Sequence, residues 1–358
     1  MVTRPKIAAQ PVANPKLQAL SKLVLNYNHR HHQAKFLPDN HERFAWHASF
    51  HYLKPSSWTT PSAMPYVAAT SLIDAYSQLP TRPDLAFNSL WSAINTSYNH
   101  LYLTHHTSAG AKLKDKSSIS FSLQRIAQRL HQHIPLGHSQ AGIPASISID
   151  DVLRRYIAQA PERNFHFVAS FILKGIAVEI HNAAQATPAT AIRTILVPSI
   201  FSTFKKNFPD LYAHIKNSSG VKYATLCTPA ETSSRTDIDY GIPASSKEKS
   251  RALVHVTSQK LRKAVLDYRS TATENFFDDD AHWLSFSVLC LLYSTRNTAV
   301  HGNSAARMNS AFSNAESVTA ASWTFLFGYC YLALIFLCQG LVSLTDLAPL
   351  HANAEIAL

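Results

Sequence analysis

From Tyr66 onward, apolar positions recur with a period near 3.6 residues, and the chain reads as a succession of helices. Asp84 is placed to cap a helix whose apolar face carries Leu85, Leu90, Trp91, Ile94, Tyr98, Leu101 and Tyr102. Residues 112–116 form a polar loop, and a basic amphipathic helix carrying Arg125, Arg129, His131 and His133 is predicted over 119–133. Two glycines and two prolines make 135–148 a loop. Helices follow at 151–159, after Asp150 and Asp151, and at 165–184, where Phe167, Phe171, Ile172, Ile176 and Ile180 repeat. Another spans 189–206, bent or broken at Pro198. The pattern then fails. Residues 217–249 are rich in Ser, Thr, Pro and Asp and predict an inserted loop, with one short strand at 220–227. Helical periodicity returns at 248–269, 280–298 and 317–343. The expectation is an all-α helical bundle with long loop insertions, occupying 66–350.

Before it, residues 1–65 have no sustained period. Prolines at 5, 11, 15, 38, 55, 61 and 65 exclude long helices except between 15 and 38. The first 60 residues hold eight Lys/Arg against two acids, and six histidines lie between His29 and His51. This is an irregular basic N-terminal region.

Residues 323–342 carry no charge and approach the roughly 20 residues that span a bilayer. Gln339, Gly328, Gly340, Tyr329 and Tyr331 interrupt the apolar run, and no Lys or Arg follows it. A buried bundle helix is the favoured reading, and a membrane-associated helical protein the alternative.

Composition narrows the classes. Hydrophobic residues make up 46 % of 358, enough for a sizeable core. A net charge of +11 favours an anionic partner, either nucleic acid or a membrane surface. The four cysteines form no Cys-x-x-Cys pair, and the N-terminus has no apolar core of a secretory signal, so a reducing cytoplasmic setting is expected. Phosphate-binding, dinucleotide-binding and serine-hydrolase glycine motifs are missing from the sequence.

The sharpest chemical signal is Arg296-Asn297-Thr298-Ala299-Val300-His301-Gly302, directly after the apolar run 283–293. It places a permanent cation, an amide and an imidazole within six residues. RNA cleavage needs such groups: an imidazole can move protons near neutrality, and a guanidinium fork can hold phosphate oxygens. Gly302 is suited to cap the helix end. On a regular helix, positions five apart differ by about 140°, so Arg296 and His301 would not point the same way. Either the helix breaks before His301 or two copies meet across a two-fold axis. An Arg, a capping Asn and a His at a helix C-terminus also serve stability alone.

Arg296, Asn297 and His301 resemble the signature of the HEPN superfamily (higher eukaryotes and prokaryotes nucleotide-binding). The resemblance is sharp over about ten residues, and beyond them only helicity and the apolar helix agree. It implies a helical bundle and a metal-independent endoribonuclease, with Arg296 as phosphate clamp, Asn297 assisting and His301 as general acid/base. It also implies an active cleft shared by two domains, hence a homodimer, and a role as a toxin or defence effector with an antitoxin or regulatory partner. A non-catalytic HEPN-like binding module is the alternative within the family.

Lys247, Lys249, Arg251, Lys260, Arg262 and Lys263 cluster beside the long loop. Lys247, Lys249, Arg251 and Arg262 are candidates for RNA backbone contact. No cofactor and no metal is expected. His29, His31, His32, His47 and His51 come without a carboxylate or cysteine at a zinc-like offset, and Asp278-Asp279-Asp280 reads as a helix cap. Arg163-Asn164-Phe165-His166 echoes the motif with too short a spacing and reads as a helix start.

Overall fold

The charge-free run near the C-terminus organises the molecule. In the computed structural model it lies within a helix, Ala315–Gln339, whose residues from Ser322 to Phe336 are all buried. The structure describes residues 24–25, 38–59, 64–106, 113–137, 145–185, 190–231, 236–239, 244–270, 274–296, 314–356 and 358. Two helices, Glu162–Ala184 and Ala315–Gln339, are long and apolar enough to cross a membrane. The most apolar window of the second is 89 % buried inside the fold, as a core helix would be. Asn314 caps it by accepting the amide of Ser317 at 2.9 Å, and Gly340 ends it with φ 72°, a conformation that favours glycine.

The helices are α1 (Tyr66–Ser77), α2 (Pro83–His105), α3 (Asp115–Ala127), α4 (Ile149–Ala158) and α5 (Glu162–Ala184). Then come α6 (Ser199–Asn207), α7 (Pro209–Ile215), α8 (Ala244–Leu266), α9 (Asp280–Ser285), α10 (Ala315–Gln339) and α11 (Ala348–Ala354). Helix α2 packs along α10 and α1, while α8 lies along α5. Gly328 lets α10 approach α2: a Cβ there would meet Phe87 at 2.9 Å. The described residues are mainly helical. Two short antiparallel hairpins complete them, β1 (His133–Pro135) with β2 (Ser146–Ser148), and β3 (Thr228–Glu231) with β4 (Thr236–Asp239).

Several expectations change. Asp84 is not the cap of α2. Pro83 opens the helix, which leaves one fewer amide to satisfy, and Asp84 takes the Arg82 guanidinium through two hydrogen bonds of 2.9 Å. The basic helix predicted over 119–133 stops at Ala127, because residues 133–135 pair with 146–148. The expected strand at 220–227 is partly helical, since α7 continues through a π turn (Lys216–Gly220) into Val221–Ala224. The strands lie farther on, so 217–249 holds a helix end, a hairpin and the start of α8.

Nor is residue 65 a packing boundary. Trp46 and Phe50 are buried, with ring centroids 6.2 and 5.8 Å from that of Phe325. The Leu53 amide donates to the Tyr329 hydroxyl at 2.7 Å, and Asn353 pairs both ways with the His51 backbone at 2.7 and 2.9 Å. These interactions tie residues 44–58 onto α10 and α11.

Candidate functional site

The helix leading to Arg296 is fixed at its base. Asp279 caps α9 by accepting the His282 amide at 2.7 Å, as expected of the acidic triplet. Asp280 is engaged by Tyr268 and Arg269, and Asp278 lies 3.2 Å from His282. Trp283 is 1 % exposed, donates to the Val265 carbonyl at 3.0 Å, and lies under the Arg154 guanidinium at 4.9 Å. The helix then widens into a π segment, Phe286–Tyr293, in which Phe286 to Leu292 are buried. Runs of π geometry are rare and often accompany functional sites. Thr295 turns its hydroxyl back to the Leu291 carbonyl at 2.8 Å, and Ser294 does the same to Cys290. Arg296 is the last described residue of this helix and is half-buried. Asn297 and His301 lie outside the described residues.

Arg296 emerges among groups from α2 and α3. Tyr98 is fully buried, and its hydroxyl has no hydrogen-bond partner among the described residues. Burial pushes the Tyr98 phenol far above its ordinary range, helped by Asp115, Tyr331 and Tyr293, while Arg296 pulls the other way. Tyr293 donates weakly to Asp115 at 3.5 Å. Next to Asp115, the Lys116 ammonium donates to Thr203 of α6 at 2.8 Å. Partial desolvation and neighbouring Lys206 hold Lys116 below the ordinary lysine range. The described part of the site therefore brings the Arg296 guanidinium together with the Tyr98 phenol, with the Asp115 carboxylate acting on the same phenol. Sequence reasoning missed Tyr98 and Asp115, because only the fold brings Arg296 to a phenol about 200 positions away.

The proposed RNA contacts separate into two kinds. Lys247, Lys249 and Arg251 are exposed along the first turns of α8. Arg262 is half-buried and donates to the Ala158 carbonyl at 3.0 Å, tying α8 to α4. That is a structural bond, and it makes Arg262 a poorer candidate than the other three.

Arg163-Asn164-Phe165-His166 does open α5, with Pro161 as its cap residue. This turn also contributes to a cluster that the sequence pattern does not reveal. Glu162 and His166, one turn apart, meet His255 of α8, and the three donor atoms all lie within 4.8 Å of one another. Gln259 donates to the same Glu162 oxygen at 2.9 Å. Glu162, Arg163, His166, Phe167, Glu316 and Leu358 help to line a cavity of about 610 Å³.

No family model, curated protein or solved structure matches the chain.

Proposed function

We propose that this protein is a metal-independent endoribonuclease of HEPN type. Arg296 clamps the scissile phosphate, Asn297 orients it, and His301 acts as general acid/base in a cleft shared by two copies of the chain. The observation that carries the reading is the placement of Arg296. A buried helix, anchored by Trp283 and widened by the π segment, carries Arg296 to where its charge acts on the buried Tyr98 phenol. A site on such an element is held in position, and a planar guanidinium fork suits a phosphodiester. The helical architecture and the +11 charge agree with a polyanionic substrate. The protein acts in the cytoplasm as a toxin or defence effector, restrained by an antitoxin or regulatory partner.

The reaction needs no metal. The 2′-oxygen of the ribose attacks the adjacent phosphorus as its proton passes to a base. The 5′-oxygen leaves with a proton, and the product ends in a 2′,3′-cyclic phosphate. His301→Ala is expected to lower cleavage of a single-stranded RNA about 10²–10⁴-fold, the usual contribution of a positioned proton-transfer group. Arg296→Lys should rescue little of the deficit in Arg296→Ala, because the bidentate fork is gone. EDTA should leave the rate unchanged. Wild-type cleavage by a His301→Ala protein shown to be folded by circular dichroism would sink the mechanism. RNA binding without any cleavage would favour a non-catalytic module.

A further inference from the structure

The Glu162–His166–His255 cluster has the composition and size of a metal centre. Glu162 Oε1 lies 2.8 Å from His255 Nδ1 and 3.3 Å from His166 Nε2, and the two ring nitrogens are 3.2 Å apart. Around zinc, nitrogen and carboxylate ligands sit at about 2.0–2.2 Å, which makes the edge of a tetrahedron roughly 3.3 Å. The observed triangle is therefore one face of such a tetrahedron, slightly contracted. A relaxation of a few tenths of an ångström would seat an ion about 1 Å above its plane, on the same bond lengths.

The fold holds the three groups together. Glu162 and His166 are i and i+4 on α5, so they share a helix face. His255 comes from α8, which packs along α5. Gln259, one turn beyond His255, donates to the same Glu162 Oε1 at 2.9 Å and helps to fix where that oxygen sits. Arg163 is the nearest cation in sequence, and its guanidinium is directed to Glu316 at 3.3 Å.

We propose that Glu162, His166 and His255 bind one divalent transition-metal ion of the zinc class, leaving a coordination position open. Three protein ligands with a vacant fourth position is the arrangement of zinc sites that bind or activate a small ligand. Glu162 and His166 also line the 610 Å³ cavity, so that position is within reach of a molecule lodged there. None of these residues belongs to the Arg296 site, and the inference does not depend on the ribonuclease reading.

The test uses the full chain, stripped with EDTA, dialysed and titrated with ZnCl₂ by calorimetry. Co²⁺ loading gives a visible spectrum as a second readout. One equivalent should bind, with the intense absorption of a four- or five-coordinate Co²⁺ ion. His255→Ala and Glu162→Gln should each weaken binding at least about 10-fold, since even outer-sphere changes cost that much. Both side chains are well exposed, 53 % and 44 %, so neither substitution threatens the fold. A triple His29→Ala, His31→Ala, His32→Ala variant should keep the equivalent. The proposal is overturned by no binding at all, by undiminished binding in the Glu162 and His255 variants, or by a loss of binding confined to the triple variant. In each of those cases the cluster is an ion pair only.

Discussion

Glu179 offers a quantitative check on how α5, α6 and α7 are joined. Its carboxylate accepts hydrogen bonds from Lys205 of α6, from the Tyr212 hydroxyl of α7, and from Lys216 at 2.8 Å. Burial alone would raise its pKa, but these bonds outweigh burial and bring it from the ordinary 4.5 to about 2. A folded pKa below the unfolded one stabilises the protein above the unfolded value, and that stability is lost as pH falls from 4.5 towards 2. Taken at face value the displacement is worth roughly 3 kcal/mol at 1.36 kcal/mol per pKa unit. Lys205 is 47 % and Lys216 33 % exposed, so solvent screening reduces the expected contribution to about 1–2 kcal/mol. Glu179→Gln keeps the shape and removes the charge. Urea unfolding of both proteins at pH 7, 5, 3.5 and 2 should show the wild type ahead by that margin at pH 7. The gap should shrink below pH 4.5 and close near pH 2. Other carboxylates titrate equally in both proteins and cancel in the difference. A gap that persists unchanged at pH 2, or none at pH 7, would refute the argument.

Gly175→Ala should destabilise the protein although alanine is the better helix former by about 1 kcal/mol. A Cβ at that position would fall 2.0 Å from Cγ of Phe201, so α5 and α6 must part or the ring must turn. Overpacking of this kind costs about 1–3 kcal/mol or more. Thermal denaturation should show a lower Tm, partly recovered in a Gly175→Ala, Phe201→Leu double variant; an unchanged Tm would contradict the packing. Reversing the exposed Lys249 and Arg251 to Glu should weaken RNA binding without altering sequence preference. It should also flatten the dependence of log K on log salt by about 0.7 for each single-strand phosphate that the protein no longer neutralises. Unchanged salt dependence in fluorescence anisotropy would remove α8 from the RNA interface.

The core helices were legible because burial imprints a period on the chain. The run at 165–184 and the charge-free residues 323–342 carry enough apolar surface to call for long helices, and both appear near their predicted limits in α5 and α10. The misses have local causes. Lys216 to Gly220 carries Asn and two serines through a π turn, so the 3.6-residue pattern vanishes although the helix continues. The residues from Phe44 to Trp58 look irregular because Pro38, Pro55 and Pro61 in and around them prevent a long helix, yet their aromatics are fixed by partners some 280 positions away. Periodicity reports the face an element buries and says nothing about which distant segment covers it.

The same distinction explains what could be read of the sites. Arg296, Asn297 and His301 stand out because they fall within six residues, while Tyr98 and Asp115 do not, since nothing in their own neighbourhoods sets them apart. The Glu162–His166–His255 cluster is an intermediate case. Glu162 and His166 at helical spacing form half a ligand set, a pattern as common in solvated helix faces as in metal centres. His255 lies 89 positions beyond His166 and becomes informative only once α8 is laid along α5. The two sites also differ in the chemistry open to them. Arg296 is a fixed cation that suits an anionic ligand, whereas two imidazoles and a carboxylate facing one another suit a metal cation. One chain thus presents complementary charge preferences at separate places in the fold. Each can be removed by a substitution that leaves the other intact, so RNA cleavage by Glu162→Gln and zinc binding by His301→Ala would show whether the two act independently.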